Sequence, residues 1–93
     1  MKLVWLAKAN ASRFARLDYI AEHNAKAALA MNEQIEKQTA QLEQFPEIGR
    51  PGRIQGTREG VIGGTPFVVL YRIQHRAGRI EIMHILHGSQ QCP

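Results

Sequence analysis

Pro66-Phe67-Val68-Val69-Leu70-Tyr71-Arg72-Ile73, followed after a turn signal at Ala77-Gly78 by Ile80-Glu81-Ile82-Met83-His84-Ile85-Leu86-His87, is the stretch that decides the fold. Both halves are rich in β-branched and aromatic residues and fit a period of two, and the glycine between them suits a tight turn. In the first half Phe67, Val69, Tyr71 and Ile73 share one face, with Val68, Leu70 and Arg72 on the other. In the second, strict alternation puts Ile80, Ile82, His84 and Leu86 on one face, opposite Glu81, Met83, Ile85 and His87. A further β-rich run, Thr57 to Ile62, comes before them and is set off by Gly63-Gly64, a second hairpin signal. Consecutive hairpins predict an antiparallel meander.

Upstream, Pro46, Gly49, Pro51, Gly52 and Gly56 punctuate a segment that cannot be helical and is expected to be a loop carrying Arg50 and Arg53. Before it the period changes to that of a helix. Ala28, Met31, Ile35, Gln38, Leu42 and Phe45 form a narrow seam on one helix that begins after Asn24 and is stopped by Pro46. Phe14, Leu17, Ile20 and Ala21 mark the stripe of an earlier helix from Asn10, with Arg13, Arg16, Asp18 and Glu22 on its other side. Asn10 or Ser12 is expected to cap its start, and Asn24 to end it in a left-handed conformation. Helices joined this closely run antiparallel. Leu3 to Leu6, with Trp5, reads as a first strand. The expected fold is therefore α+β: an N-terminal strand and an antiparallel helical hairpin packed on an antiparallel β-meander, one domain over 1–93.

Composition narrows the function. With 93 residues and 44% hydrophobic, the chain suits one small domain. No apolar run is long enough to span a bilayer, and Met1 to Leu6 lacks the features of a signal peptide, so a cytoplasmic protein with no membrane contact is expected. The single cysteine, Cys92, can make neither an internal disulfide nor a structural zinc site and reads as a surface thiol. The net charge of +4 is unevenly made: all the lysines lie in the first half, whereas Arg50, Arg53, Arg58, Arg72, Arg76 and Arg79 are the basic residues after Pro46. Arginine forks suit an acidic protein or a nucleic-acid backbone, and equally a merely solvated surface; the sequence does not choose.

Catalytic templates are sparse. Gly49, Gly52 and Gly56 precede a strand rather than a helix, which is no phosphate loop. His84 and His87, three apart on a strand, face opposite sides and make a poor metal pair. No cofactor or metal is expected. His84 reads as a hydrogen-bonded core histidine, and Trp5 and Tyr71 as core or sheet residues before they are platforms for stacking bases.

The order of strand, two helices, Gly49-Arg50-Pro51-Gly52-Arg53, Gly56-Thr57-Arg58-Glu59, Gly64-Thr65-Pro66-Phe67-Val68-Val69-Leu70-Tyr71-Arg72 and Leu86-His87-Gly88-Ser89-Gln90 near a terminal Pro93 resembles the RelE/ParE superfamily. These are toxins of type II toxin–antitoxin pairs. The likeness covers essentially the whole chain; each motif is loose alone and specific in combination.

The resemblance implies one of two chemistries. RelE-like members cut messenger RNA on the ribosome, using the 2′-OH as nucleophile. ParE-like members inhibit DNA gyrase by binding. In the nucleases an arginine typically stands three residues before the tyrosine; here that position is Val68, which can only pack. The ParE-like branch is therefore favoured, with Arg50, Arg53, Arg58 and His87 expected to contact the target. Were the chain a metal-independent RNase, Glu59 would be the base, Arg58 or Arg72 would hold the phosphate and His87 would be the acid. The resemblance also implies a tight complex with an acidic cognate antitoxin, added as a strand or as an amphipathic helix, and contact with operator DNA only through it. A third expectation, from another class, is a non-toxic interaction module.

Overall fold

The computed structural model describes residues 1–88, so Cys92 and the Ser89-Gln90 and Pro93 positions lie outside the described residues. The order is β1 (Lys2–Trp5), α1 (Ala7–Ala21), α2 (Ala25–Ala40), a single 3-10 turn (Gln41–Glu43), β2 (Arg50–Pro51), β3 (Arg58–Val61), β4 (Phe67–Gln74) and β5 (Arg79–His87). The strands form one sheet in the order β1-β5-β4-β3-β2. From β2 to β5 it is the expected antiparallel meander, with Gly64 and Gly78 at positive φ in its turns. β1 adds the one parallel pairing, alongside β5, which makes the sheet mixed.

One face of the sheet carries the helices. Ala9, Leu17, Ile35 and Leu42 pack there on Phe67, Val69, Tyr71, Ile80, Ile82 and Ile85. The period-two prediction holds along β4 but breaks in β5. Leu70 pairs with His84 and Tyr71 with Ile82, so Met83 is an extra residue, a bulge. The bulge turns Ile85 to the helices with Ile80 and Ile82, while Leu86 joins Val68 and Leu70 in a separate buried cluster on the opposite face. The expectation that His84 and Leu86 share the face of Ile80 and Ile82 is thus corrected, because an inserted residue shifts everything after it by one.

The helix ends also differ from the prediction. α1 starts at Ala7 behind Leu6, with no side-chain cap. Asn24 is extended, not left-handed, and its side chain accepts from the Ala27 amide to cap α2. Ser12, expected as a cap, instead accepts from the Ile85 amide at 3.1 Å, and Arg16 Nε donates to the Ile85 carbonyl at 3.0 Å. The β1 pairing with β5 ends at Ile82. Beyond that point α1 side chains satisfy the strand edge that β1 no longer reaches.

Phe14 and Phe45, expected in apolar stripes, are exposed, and Arg13, expected outside, is buried. The segment expected to be loop contains the two-residue β2, whose Arg50 pairs with Glu59 and Pro51 with Arg58. Proline is tolerated there because β2 is an edge strand. No helix of the described residues is long and apolar enough to cross a membrane.

Candidate functional site

The arginine loop is organised by one buried carboxylate. Glu59 sits in β3 on the helix-free face, 3% exposed. Its Oε2 accepts from the Arg53 amide at 2.9 Å and Arg53 Nε at 2.8 Å, and its Oε1 accepts from Arg50 Nη2 and Arg53 Nη2, each at 3.2 Å. The Arg53 hydrogen bonds outweigh the cost of burial and hold the Glu59 pKa down at about 2. Both oxygens are therefore occupied by two arginines, and Glu59 acts as the seat of the loop.

Arg58 is its neighbour in sequence and points to the other face. Its Nη1 donates to the Gly49 carbonyl at 2.8 Å and to the Glu47 carbonyl at 3.2 Å. Tyr71, paired with Arg58 across β3 and β4, donates its hydroxyl to the Pro46 carbonyl at 2.8 Å and accepts from the Gly49 amide at 2.9 Å. The loop from Pro46 to Arg53 is thus pinned from both sides of β3: by Tyr71 and Arg58 on one, by Glu59 on the other.

A second carboxylate repeats the arrangement on β4 and β5. Glu81 accepts from Arg72 Nε at 2.6 Å, from Arg79 Nε at 2.8 Å and from Gln74 at 3.3 Å. Arg72 first, then Arg79, lower its pKa to about 2. Sequence reasoning named Arg72 alone; counting outward from the Ala77-Gly78 turn places Arg72 opposite Glu81, a signal that was available.

His87 stands apart. It pairs with Phe67, four residues along β4 from the Arg58–Tyr71 pair and two strands across, roughly 16 Å away by strand geometry. It lines a groove of about 560 Å³ between α1 and the sheet, with Arg16, Tyr19, Ile20, Pro66 and Phe67. The structure brings Arg50 and Arg53 together on Glu59, sets Arg58 behind them, and joins neither to His87. Val68, three before Tyr71, is 4% exposed in the cluster with Leu70 and Leu86. The position from which the nucleases would present an arginine is occupied here by packed aliphatic surface.

His84, expected to be hydrogen-bonded in the core, departs from that. Its Nδ1 is buried with no partner, and burial, reinforced by the charges of Arg16 and Lys8, lowers its pKa. Among the described residues no group of three or more His, Cys, Asp or Glu is placed to hold a metal ion.

Comparisons with known proteins bear on the fold and the family. A solved chain from the chromosomal ParDE toxin–antitoxin system of P. aeruginosa superposes with a TM-score of 0.84 at 28% identity, over 94% of this chain and 95% of that one. A YoeB/ParE toxin from Agrobacterium tumefaciens shares the fold, with a TM-score of 0.59 at 18% identity over 94% and 98% of the two chains. The protein named "Putative toxin Y4kP" from Sinorhizobium fredii is 36% identical over 75 residues, 81% of this chain and 75% of its own length. The family model described as ParE toxin of type II toxin-antitoxin system, parDE, matches residues 3–92, and the chain belongs to that ParE toxin family.

Proposed function

We propose that this toxin acts by binding DNA gyrase in the cytoplasm, is neutralised there by a cognate acidic antitoxin, and cuts no RNA. One observation carries the reading: Val68 is packed among Leu70 and Leu86 where a cleaving relative would present its phosphate-gripping arginine. The remaining groups support it. Glu59 has both oxygens occupied by arginines, which removes it as a ready proton acceptor, and Arg58 is turned onto the Gly49 and Glu47 carbonyls, away from His87.

In this reading the Arg50–Arg53 loop, seated on Glu59 and backed by Arg58, forms a rigid cationic edge for a protein target, with His87 a separate contact at the groove. The antitoxin partner is supported by the family and by the exposed apolar side chains Phe14, Tyr19, Leu29, Phe45 and Ile48, which a second chain could cover.

The test compares two assays on purified protein. Inhibition of gyrase supercoiling, relieved by the antitoxin, with intact transcripts on translating ribosomes is expected. Cleavage of messenger at a fixed codon position with no effect on gyrase would replace this reading by the ribonuclease; inactivity in both, with normal growth on induction, would leave the non-toxic module.

A further inference from the structure

The arginine loop accounts for only half of the arginines in the second part of the chain. Arg76 and Arg79 lie at the β4–β5 turn, and Arg72, one residue past the Tyr71 that pairs with Arg58, extends this group back toward the arginine loop. β1 joins them there: Lys2 pairs with Arg79, and the Lys2 amide donates to the Gly78 carbonyl at 3.0 Å, fixing the strand start to the turn. Lys2, Arg72 and Arg79 share the helix-free face by register, and Arg76 is exposed in the turn itself. Among the described residues Glu81 is the carboxylate that Arg72 and Arg79 share.

Glu81 does more than offset charge. Each of its oxygens takes an arginine Nε, from Arg72 and from Arg79, and these two side chains remain 42% and 45% exposed. Their terminal nitrogens bond to nothing among the described residues. Two guanidinium groups are thus held by their inner edges, with their remaining donors available to a ligand, at little further cost in side-chain entropy. Arg76 and Lys2 make no side-chain hydrogen bond or ion pair among the described residues. Gly78, at φ +65 with nothing within 4 Å of an added Cβ, leaves the backbone open to close approach.

The geometry points to a nucleic-acid phosphate backbone as the ligand of this hairpin end, a DNA contact that the chain makes itself and that departs from the expectation that it meets DNA only through the antitoxin. Phosphate fits better than an acidic protein for two reasons. A protein partner needs desolvated apolar anchors beside its charge pairs, and here Met1 is the large exposed apolar neighbour while His75, Arg76, Ala77 and Gly78 are a small polar tip. Four cations around one carboxylate leave a net positive end with forked donors, the pattern that positions a protein on a duplex without reading its bases. The proposal does not depend on gyrase being the target, because its test contains no gyrase.

The test is fluorescence anisotropy of a short labelled DNA duplex of arbitrary sequence, titrated with the full chain between about 50 and 200 mM salt. The expected slope of log affinity against log salt is about −3 to −4, for four phosphate contacts. Arg76→Gln, at an exposed and unpaired position, should reduce that slope by about one without changing the melting temperature. The double variant Arg76→Gln/Arg79→Gln should reduce it by about two and weaken binding at low salt by about tenfold. Arg50→Gln serves as the comparison at the other arginine site. An absence of duplex binding, a slope unchanged in the double variant, an equal loss in Arg50→Gln, or displacement of the duplex by polyglutamate at equal charge would overturn the assignment.

Discussion

The Tyr71 hydroxyl accepts a hydrogen bond from the Gly49 amide at 2.9 Å, across a sequence separation of 22 residues, and so fastens the arginine loop to the centre of the sheet. The ring itself is fully buried, and burial is the main cause that raises its pKa, so the hydroxyl stays protonated and able to donate to the Pro46 carbonyl as well. Tyr71→Phe keeps the ring and orphans the Gly49 amide, a loss of about 1 to 2 kcal/mol in urea unfolding. Gly49→Ala should cost at least as much, since an added Cβ would stand 2.5 Å from the hydroxyl oxygen and 2.8 Å from the Glu59 carbonyl. If both substitutions leave stability and toxicity unchanged, the loop is held by something other than this contact.

Glu59 and Glu81 make the fold sensitive to acid, and the sign follows from their low folded values. Both sit at about 2, below the ordinary 4.5, so the stability they contribute is complete above about 4.5 and is lost as the pH falls from there toward 2. Glu59→Gln should destabilise the protein by about 2 kcal/mol at neutral pH, because two arginines lose a charged acceptor that is nine-tenths buried or more. As the pH falls from about 4.5 toward 2 the difference between parent and variant should narrow steadily. The variant should keep part of its acid sensitivity, since Glu81 remains. Unfolding curves at pH 7, 4 and 3 check both points; a gap that stays constant over this range would contradict the assigned role.

His84 produces a separate loss at milder pH. Burial, then the charges of Arg16 and Lys8 from α1, lower its pKa below 6.5; from β4 the residue opposite it is the uncharged Leu70. The unfolded chain therefore takes up a proton before the folded one does, and stability drops as the pH falls through about 6.5. Between pH 7 and 5.5 the parent should lose stability while His84→Leu does not. Comparing the parent with His84→Leu isolates the contribution of this half-buried histidine. A parallel loss in His84→Leu would move the cause elsewhere.

The elements whose pattern is local were legible in the sequence. The two hairpins announced themselves through glycine-bearing turns, and the paired helices through the change from a period of two to one of 3.6. Three features were not legible. A lone strand does not name its partner, so the parallel contact of β1 with β5 had to come from the structure. The bulge at Met83 is one residue in a run that otherwise alternates, and no count of polar and apolar positions distinguishes Ile85 from His84 as the one facing the helices. Within the candidate site, Arg50, Arg53 and Glu59 were all named from sequence, yet their joint role was hidden, because β2 is two residues long and sits between Gly49 and Gly52 in a stretch that reads as loop.

Arg13 is the clearest case of a side chain whose type misleads. It is 7% exposed in α1, with its guanidinium carbon 4.7 Å from the Trp5 ring centre and 5.5 Å from that of Phe14. Nε and Nη2 both donate to Asn32 Oδ1, at 2.9 and 2.5 Å, and Nη2 also reaches Glu36 at 2.9 Å, which ties α1 to α2. A flat delocalised cation can stack and donate in its plane at once; an ammonium cannot. Arg13→Lys should therefore cost about 2 kcal/mol, leaving a desolvated point charge without its fork. Arg13→Met should cost less, about 1 kcal/mol, because it removes the buried charge while Glu36, 64% exposed, stays solvated. Trp5 is the sole tryptophan, so its fluorescence reports the loss of the stacked cation directly. If lysine proves as stable as arginine here, or methionine worse than lysine, charge rather than the planar stack joins the two helices.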